Sequence, residues 1–175
     1  MEAARDRVVP DVAAEGLRVL FCGINPGLLS AVTGHHFARP GNRFWPALHA
    51  SGFTPRRLLP QEEQELLAYG LGITNVVARA TARADELSRE ELAEGGRLLA
   101  EKVARLRPNW LAVLGITAYR AAFDEPAAAV GPQQRLVGGA PVWLLPNPSG
   151  LNAHYTPPAL AEEFGRLRVA ASAEE

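Results

Sequence analysis

"LRVLFCGINPG", residues 17–27, decides how the rest of the chain is read. Residues 17–23 make an apolar run too short for a helix and closed by glycine, the pattern of a strand buried on both faces. Gly23-Ile24-Asn25-Pro26-Gly27 then turns tightly and sets an amide, Asn25, at the mouth of that strand. Outward from there, "NWLAVLG" (109–115) and "APVWLLPN" (140–147) repeat the short apolar run, and "YGLGITNVV" (69–77) gives a weaker fourth. The segments between have helical spacing. In "SREELAEGGRLLAEKVARLRP" (88–108), Ser88 and Glu91 form a capping box, Leu92, Leu98, Leu99, Val103 and Leu106 line one face, and Pro108 stops the run. "NRFWPALHASG" (42–52), "PQEEQELLAYG" (60–70) and "TPPALAEEFGRLRVAA" (156–171) are predicted helices, the last capped by Thr156. Strands alternating with helices predict a three-layer α/β/α sandwich around a central, mainly parallel sheet.

The chain has 175 residues, 47% of them hydrophobic, which suits one domain, expected over residues 17–170, with a flexible arm at 1–16 and a tail at 171–175. A net charge of −1 makes any nucleic-acid site a local patch. The cations are almost all arginine, Lys102 being the only lysine. The single cysteine, Cys22, excludes an internal disulfide and an iron–sulfur cluster, which takes about four thiolates. No stretch approaches the roughly 18 apolar residues of a membrane span, so no membrane partner is expected, and the location is expected to be cytoplasmic.

In such a sheet the working crevice lies beyond the carboxyl ends of the strands. The unusual residues gather there: "GINPG" after one strand, "TNVVARATARADE" after another, and "NPSGLNAHYTPP" after the last. "LGITAYRAAF" runs straight into a predicted helix and reads as packing. The glycines of "GINPG" belong to neither a phosphate loop nor a dinucleotide fingerprint. Ser149 lacks a G-x-S-x-G elbow and His154 an acidic partner, so a serine hydrolase is disfavoured. His35, His36, His49 and His154 lack metal-ligand spacing; neither metal nor cofactor is expected, and the pair His35-His36 reads as a solvent- or substrate-facing loop. What remains is Asn25, a second amide at Asn75, an aromatic at Phe37, and Gly150-Leu151, which could project an apolar wedge. That set suits base flipping, in which an apolar side chain fills the vacated stack and a ring stacks on the extruded base.

With these motifs in view, the sequence resembles the mismatch-specific uracil-DNA glycosylases, relatives of thymine-DNA glycosylase within the uracil-DNA glycosylase superfamily. The carriers are "GINPG" (23–27), "HHFARPGNRFW" (35–45), "GITNVVARAT" (72–81), "ELAEGGRLL" (91–99) and "LPNPSGLN" (145–152), in family order. The resemblance implies that Asn25 positions the hydrolytic water, that Ile24 and Gly27 give backbone contacts to the flipped base, that Phe37 stacks on it, and that Ser30 belongs to the pocket. It places the wedge on Gly150, Leu151 and Asn152, with Asn147 and Ser149 shaping that loop and touching phosphate. An amide cannot remove a proton, so Asp85, in a loop expected near the DNA, is a second catalytic candidate as the base. His154 is a further DNA-contact candidate, and Arg39, Arg43, Arg79 and Arg83 are candidate phosphate contacts. The expected partner is duplex DNA with a G·U or related mismatch, acted on by a monomer. Uracil is the expected base, with thymine and exocyclic cytosine adducts as extensions. Two other readings stay open: a mismatch-binding module with little catalysis, and a nucleobase-binding protein that needs no duplex.

Overall fold

The computed structural model describes Ala4 and residues 7–172. Five strands form one sheet: β1 (Val19–Gly23), β2 (Leu71–Asn75), β3 (Trp110–Leu114), β4 (Gly131–Val137) and β5 (Ala140–Leu145), in the order β2-β1-β3-β5-β4. All neighbours run parallel except β4 and β5. The helices are α1 (Leu28–Thr33), α2 (Phe44–Ala50), α3 (Arg89–Leu106), α4 (Ile116–Ala122) and α5 (Pro157–Ser172).

Alternation along β1 shows why this is a sandwich, since successive side chains of a strand leave opposite faces. Val19 and Phe21 pack with α2 and α5 through Phe44, Leu48, Phe164 and Leu167. Leu20 and Cys22 face α3 and α4 through Leu99, Val103, Tyr119 and Ala122. The two layers are nonpolar where they meet the sheet, and the predicted fold class is the one observed. Burial of Cys22 in the second layer pushes its thiol well above the ordinary range, so it is an inert core side chain.

The predicted helix over residues 60–70 is Pro60–Tyr69, of 3₁₀ type and ended by Gly70. Two segments differ from the sequence reading. Residues 28–33, assigned to no element, form the short α1, which has no side-chain cap to announce it. Residues 131–137, assigned to no element, form the edge strand β4, joined to β5 by Gly138-Gly139, whose positive φ values of 56° and 83° suit a tight hairpin.

Within the expected arm, the described residues 7–16 are held to the sheet. Val12 exchanges both backbone hydrogen bonds with Ile73, at 2.9 and 2.8 Å. Asp11 accepts from Thr74 at 2.8 Å and from Lys102 at 2.6 Å, so the only lysine ties β2, α3 and this segment together.

Candidate active site

The turn after β1 and the segment after β2 lie side by side. Backbone bonds join Val76 N to Gly23 O, Val77 N to Ile24 O and Thr81 N to Pro26 O at 2.9 to 3.1 Å. This pairing sets the surroundings of Asn25. Its Nδ2 donates to Arg79 O and to Thr81 Oγ1, both at 2.9 Å. Thr81 Oγ1 in turn donates to Arg83 O at 2.7 Å. A carbonyl only accepts, and a hydroxyl has one proton, so Thr81 spends that proton on Arg83 and can only accept from Asn25. The amide is therefore oriented by its neighbours: both N–H groups are used, and Oδ1 is left as an acceptor with no partner among the described residues.

Asn25 lines a cavity of about 410 Å³ at the carboxyl ends of β1 and β2. The structure brings Ile24, Gly27, Ser30, Phe37, Asn75, Arg39, Arg83, Asp85, Asn147, Ser149 and Leu151 to the same cavity. At its floor, a Cβ on Gly23 would come within 2.7 Å of Asn75 Oδ1 and 3.3 Å of the Phe37 ring, so these two side chains crowd the end of β1. The Asn75 amide has no hydrogen-bond partner among the described residues and offers a donor and an acceptor to a ligand.

Phe37 is held as a platform. Its ring stacks on Phe44 at 4.3 Å, in a residue whose φ of 53° is costly without glycine. Neighbouring contacts hold that geometry: Ala38 N donates to Ser30 Oγ at 3.2 Å, His36 N to Glu63 Oε1 at 3.0 Å, and Trp45 Nε1 to His36 O at 3.2 Å. The pair His35-His36 lies in a loop as predicted, and His36 lines the cavity, but both rings are tied into the protein. His35 Nδ1 meets Glu63 Oε2 at 2.7 Å, and His36, buried, bonds Pro10 O at 2.8 Å, because Glu63 lies buried beneath the pair and needs partners.

The loop from Asn147 to Thr156 is a chain of side-chain-to-backbone turns. Asn147 Oδ1 accepts from Ser149 N at 2.9 Å, Ser149 Oγ from Leu151 N at 3.1 Å, and Asn152 Oδ1 from His154 N at 3.0 Å. A Cβ on Gly150 would come within 2.5 Å of Gly41 O, so this loop packs backbone to backbone on the 39–43 loop. At its tip Leu151 is 74% exposed, the most exposed large hydrophobic side chain described. His154 is exposed and borders a separate hollow on the other flank of Leu151, away from Asn25.

The four arginines divide. Arg43 donates to the carbonyls of Asn152, Tyr155 and Gly150, and Arg79 to Glu91, at 2.6 and 2.9 Å, and to Glu86 O. Both guanidiniums are therefore engaged within the protein rather than presented to phosphate. The Arg79 hydrogen bonds hold the Glu91 carboxyl down at about 2. Arg39, exposed and with no hydrogen-bonding partner for its guanidinium among the described residues, and Arg83, 77% exposed, stand at the cavity mouth. Asp85 pairs with Arg83 at 3.1 Å and is 73% exposed, so it lines the cavity that holds Asn25 as part of a solvated ion pair. Thr81 was missed by sequence reading, although it lies in a quoted block. Among the described residues no group of His, Cys, Asp and Glu is placed to hold a metal ion.

Two comparisons fit this arrangement. The family model described as the uracil DNA glycosylase superfamily matches residues 10–167. The solution NMR structure of a candidate uracil DNA glycosylase from Methanosarcina acetivorans aligns over 93% of this chain and 98% of its own, with a TM-score of 0.62 at 18% identity. At that identity the structural likeness bears on the fold alone.

Proposed function

The chain belongs to the uracil DNA glycosylase superfamily, and we propose that it is a monofunctional, mismatch-specific DNA glycosylase. In this reading it flips uracil, and by extension thymine or exocyclic cytosine adducts, out of duplex DNA, preferably opposite guanine, and hydrolyses the N-glycosidic bond. The observation that carries the proposal is the oriented amide: Asn25 Oδ1 is an unused acceptor on the wall of a cavity floored by Phe37 and Asn75 and edged by Leu151.

The mechanism follows from these parts. Leu151 enters the stack as the target nucleotide leaves it, and the extruded base lies against Phe37 with its polar edge toward Asn75. Arg39 at the mouth supplies charge for a backbone phosphate, and Arg83 joins it where phosphate displaces its exposed Asp85 partner. Asn25 Oδ1 accepts one hydrogen bond from a water and so aims its lone pair at C1′. As the C1′–N1 bond breaks, its electron pair leaves with the base, C1′ becomes oxocarbenium-like, and the water oxygen bonds to it. The water's proton then passes to solvent, because an amide cannot keep it. Slow turnover is the expected cost.

The test is single-turnover release of uracil from a G·U duplex by wild type and Asn25→Ala. A fall of at least about tenfold in the variant, roughly 1.4 kcal/mol of barrier, supports the assignment. Excision untouched by the substitution would transfer the chemistry elsewhere, with Asp85→Asn next. Tight mismatch binding without release of any base would replace the enzyme by a binding module.

A further inference from the structure

We propose that Thr81 is a positioning residue for the hydrolysis, acting only through Asn25 by fixing which end of the amide faces the cavity; this rests on the glycosylase reading above. An asparagine side chain can turn its amide by half a revolution with almost no change of shape, exchanging a donor for an acceptor. Only the acceptor end can hold an attacking water with its lone pair free for C1′. The choice between the two ends is made by what lies behind the amide.

Behind it are Arg79 O and Thr81 Oγ1, each 2.9 Å from Nδ2. The backbone carbonyl is present whatever residue stands at 79. The hydroxyl is the part that sequence controls, and it is polarised as an acceptor because its proton goes to Arg83 O at 2.7 Å. Thr81 is buried at 1% exposure, so no solvent competes for either bond. Its backbone is fixed as well, by Thr81 N to Pro26 O at 3.1 Å. The chain Arg83 O, Thr81 hydroxyl, Asn25 amide is thus a one-way series of hydrogen bonds that ends in an acceptor at the cavity wall.

Thr81→Val keeps the shape and removes both bonds; Thr81→Ser keeps the hydroxyl. The expected result is a fall of at least about tenfold in single-turnover excision for Thr81→Val, with Thr81→Ser within about threefold of wild type. Affinity for a duplex carrying a 2′-fluoro, cleavage-resistant uracil nucleotide stays that of wild type in both. In an Asn25→Ala background, Thr81→Val brings no further loss, because the group it orients is gone. Equal excision by Thr81→Val and wild type, or additive losses in the double variant, would overturn the proposal. A second measurement is independent of catalysis: exchange of the Asn25 side-chain amide protons with solvent, read by NMR. Slow exchange in wild type and Thr81→Ser with fast exchange in Thr81→Val supports the lock, and no difference among the three refutes it. Should wild type release no base from any duplex, the glycosylase reading falls while the exchange data still decide whether Thr81 orients the amide.

Discussion

Replacing Leu151 by alanine separates the wedge from the rest of the protein, because in the free molecule this side chain does almost nothing for the fold. It is 74% exposed and sits on a loop whose shape is set by Asn147, Ser149 and Asn152. Alanine there should leave the melting temperature unchanged. In the duplex the same side chain would be stripped of water. Three carbons at about 0.8 kcal/mol each, reduced for the quarter already covered, come to about 1.8 kcal/mol, or roughly a 20-fold loss of the extruded state. The assay pairs single-turnover excision from a G·U duplex with excision from single-stranded DNA, where no stack has to be filled. The expectation is a loss of that size on duplex and none on the single strand. A variant as fast as wild type on duplex, or equally impaired on both substrates, would refute the wedge assignment.

The arginines give a paired prediction. Arg39→Ala should reduce the slope of log affinity against log salt by about 0.9 without moving the melting temperature, while Arg43→Ala should lower the melting temperature by freeing the carbonyls of the wedge loop. Binding titrations at several salt concentrations and thermal melts decide both. The ion pair of Arg79 with Glu91 predicts an acid limb. The Glu91 carboxyl is held below its ordinary value of 4.5, at about 2, so its contribution is complete above about 4.5 and is lost as pH falls from there to about 2. Melting temperature against pH should flatten over that range in Glu91→Gln; an unchanged slope would show that the pair does not stabilise the fold.

The parallel strands were legible because a strand buried on both faces is apolar throughout, as "VLFCG" and "WLAVL" are. β4 was not, because an antiparallel edge strand faces water along much of its length. "GPQQRLV" has neither a continuous nor a cleanly alternating pattern, and its pairing breaks register between Pro132 and Leu136. Among the site residues, Asn25, Phe37 and Leu151 could be picked out because each is odd where it stands: an amide at a strand mouth, an aromatic in a polar loop, a leucine among turn formers. Thr81 could not, since its meaning lies in a contact made across 56 residues of sequence. Arg43 and Arg79 could not be told apart from Arg39 for a related reason. An arginine that binds carbonyls or a carboxylate within the protein has the same local sequence as one left for phosphate.

The surroundings of position 25 also explain why the residue there is an amide. Arg79 O can only accept, and the Thr81 hydroxyl is committed to Arg83 O, so the group between them has to bring two protons. A carboxylate in the same place would set an oxygen against a carbonyl oxygen with no proton between them, an unfavourable contact in a half-buried position. The loops that hold the amide firmly thus exclude the better base. What they give instead is orientation: a fixed acceptor, a stacked ring with a constrained backbone, and an exposed leucine on a loop tied by its own side chains. Placement of this kind can lower a barrier by several kcal/mol without any proton transfer. Its effect depends on the whole frame being rigid, and the hydrogen bonds of Glu63, Ser30 and Arg43, none of them aimed at a substrate, are spent on that rigidity.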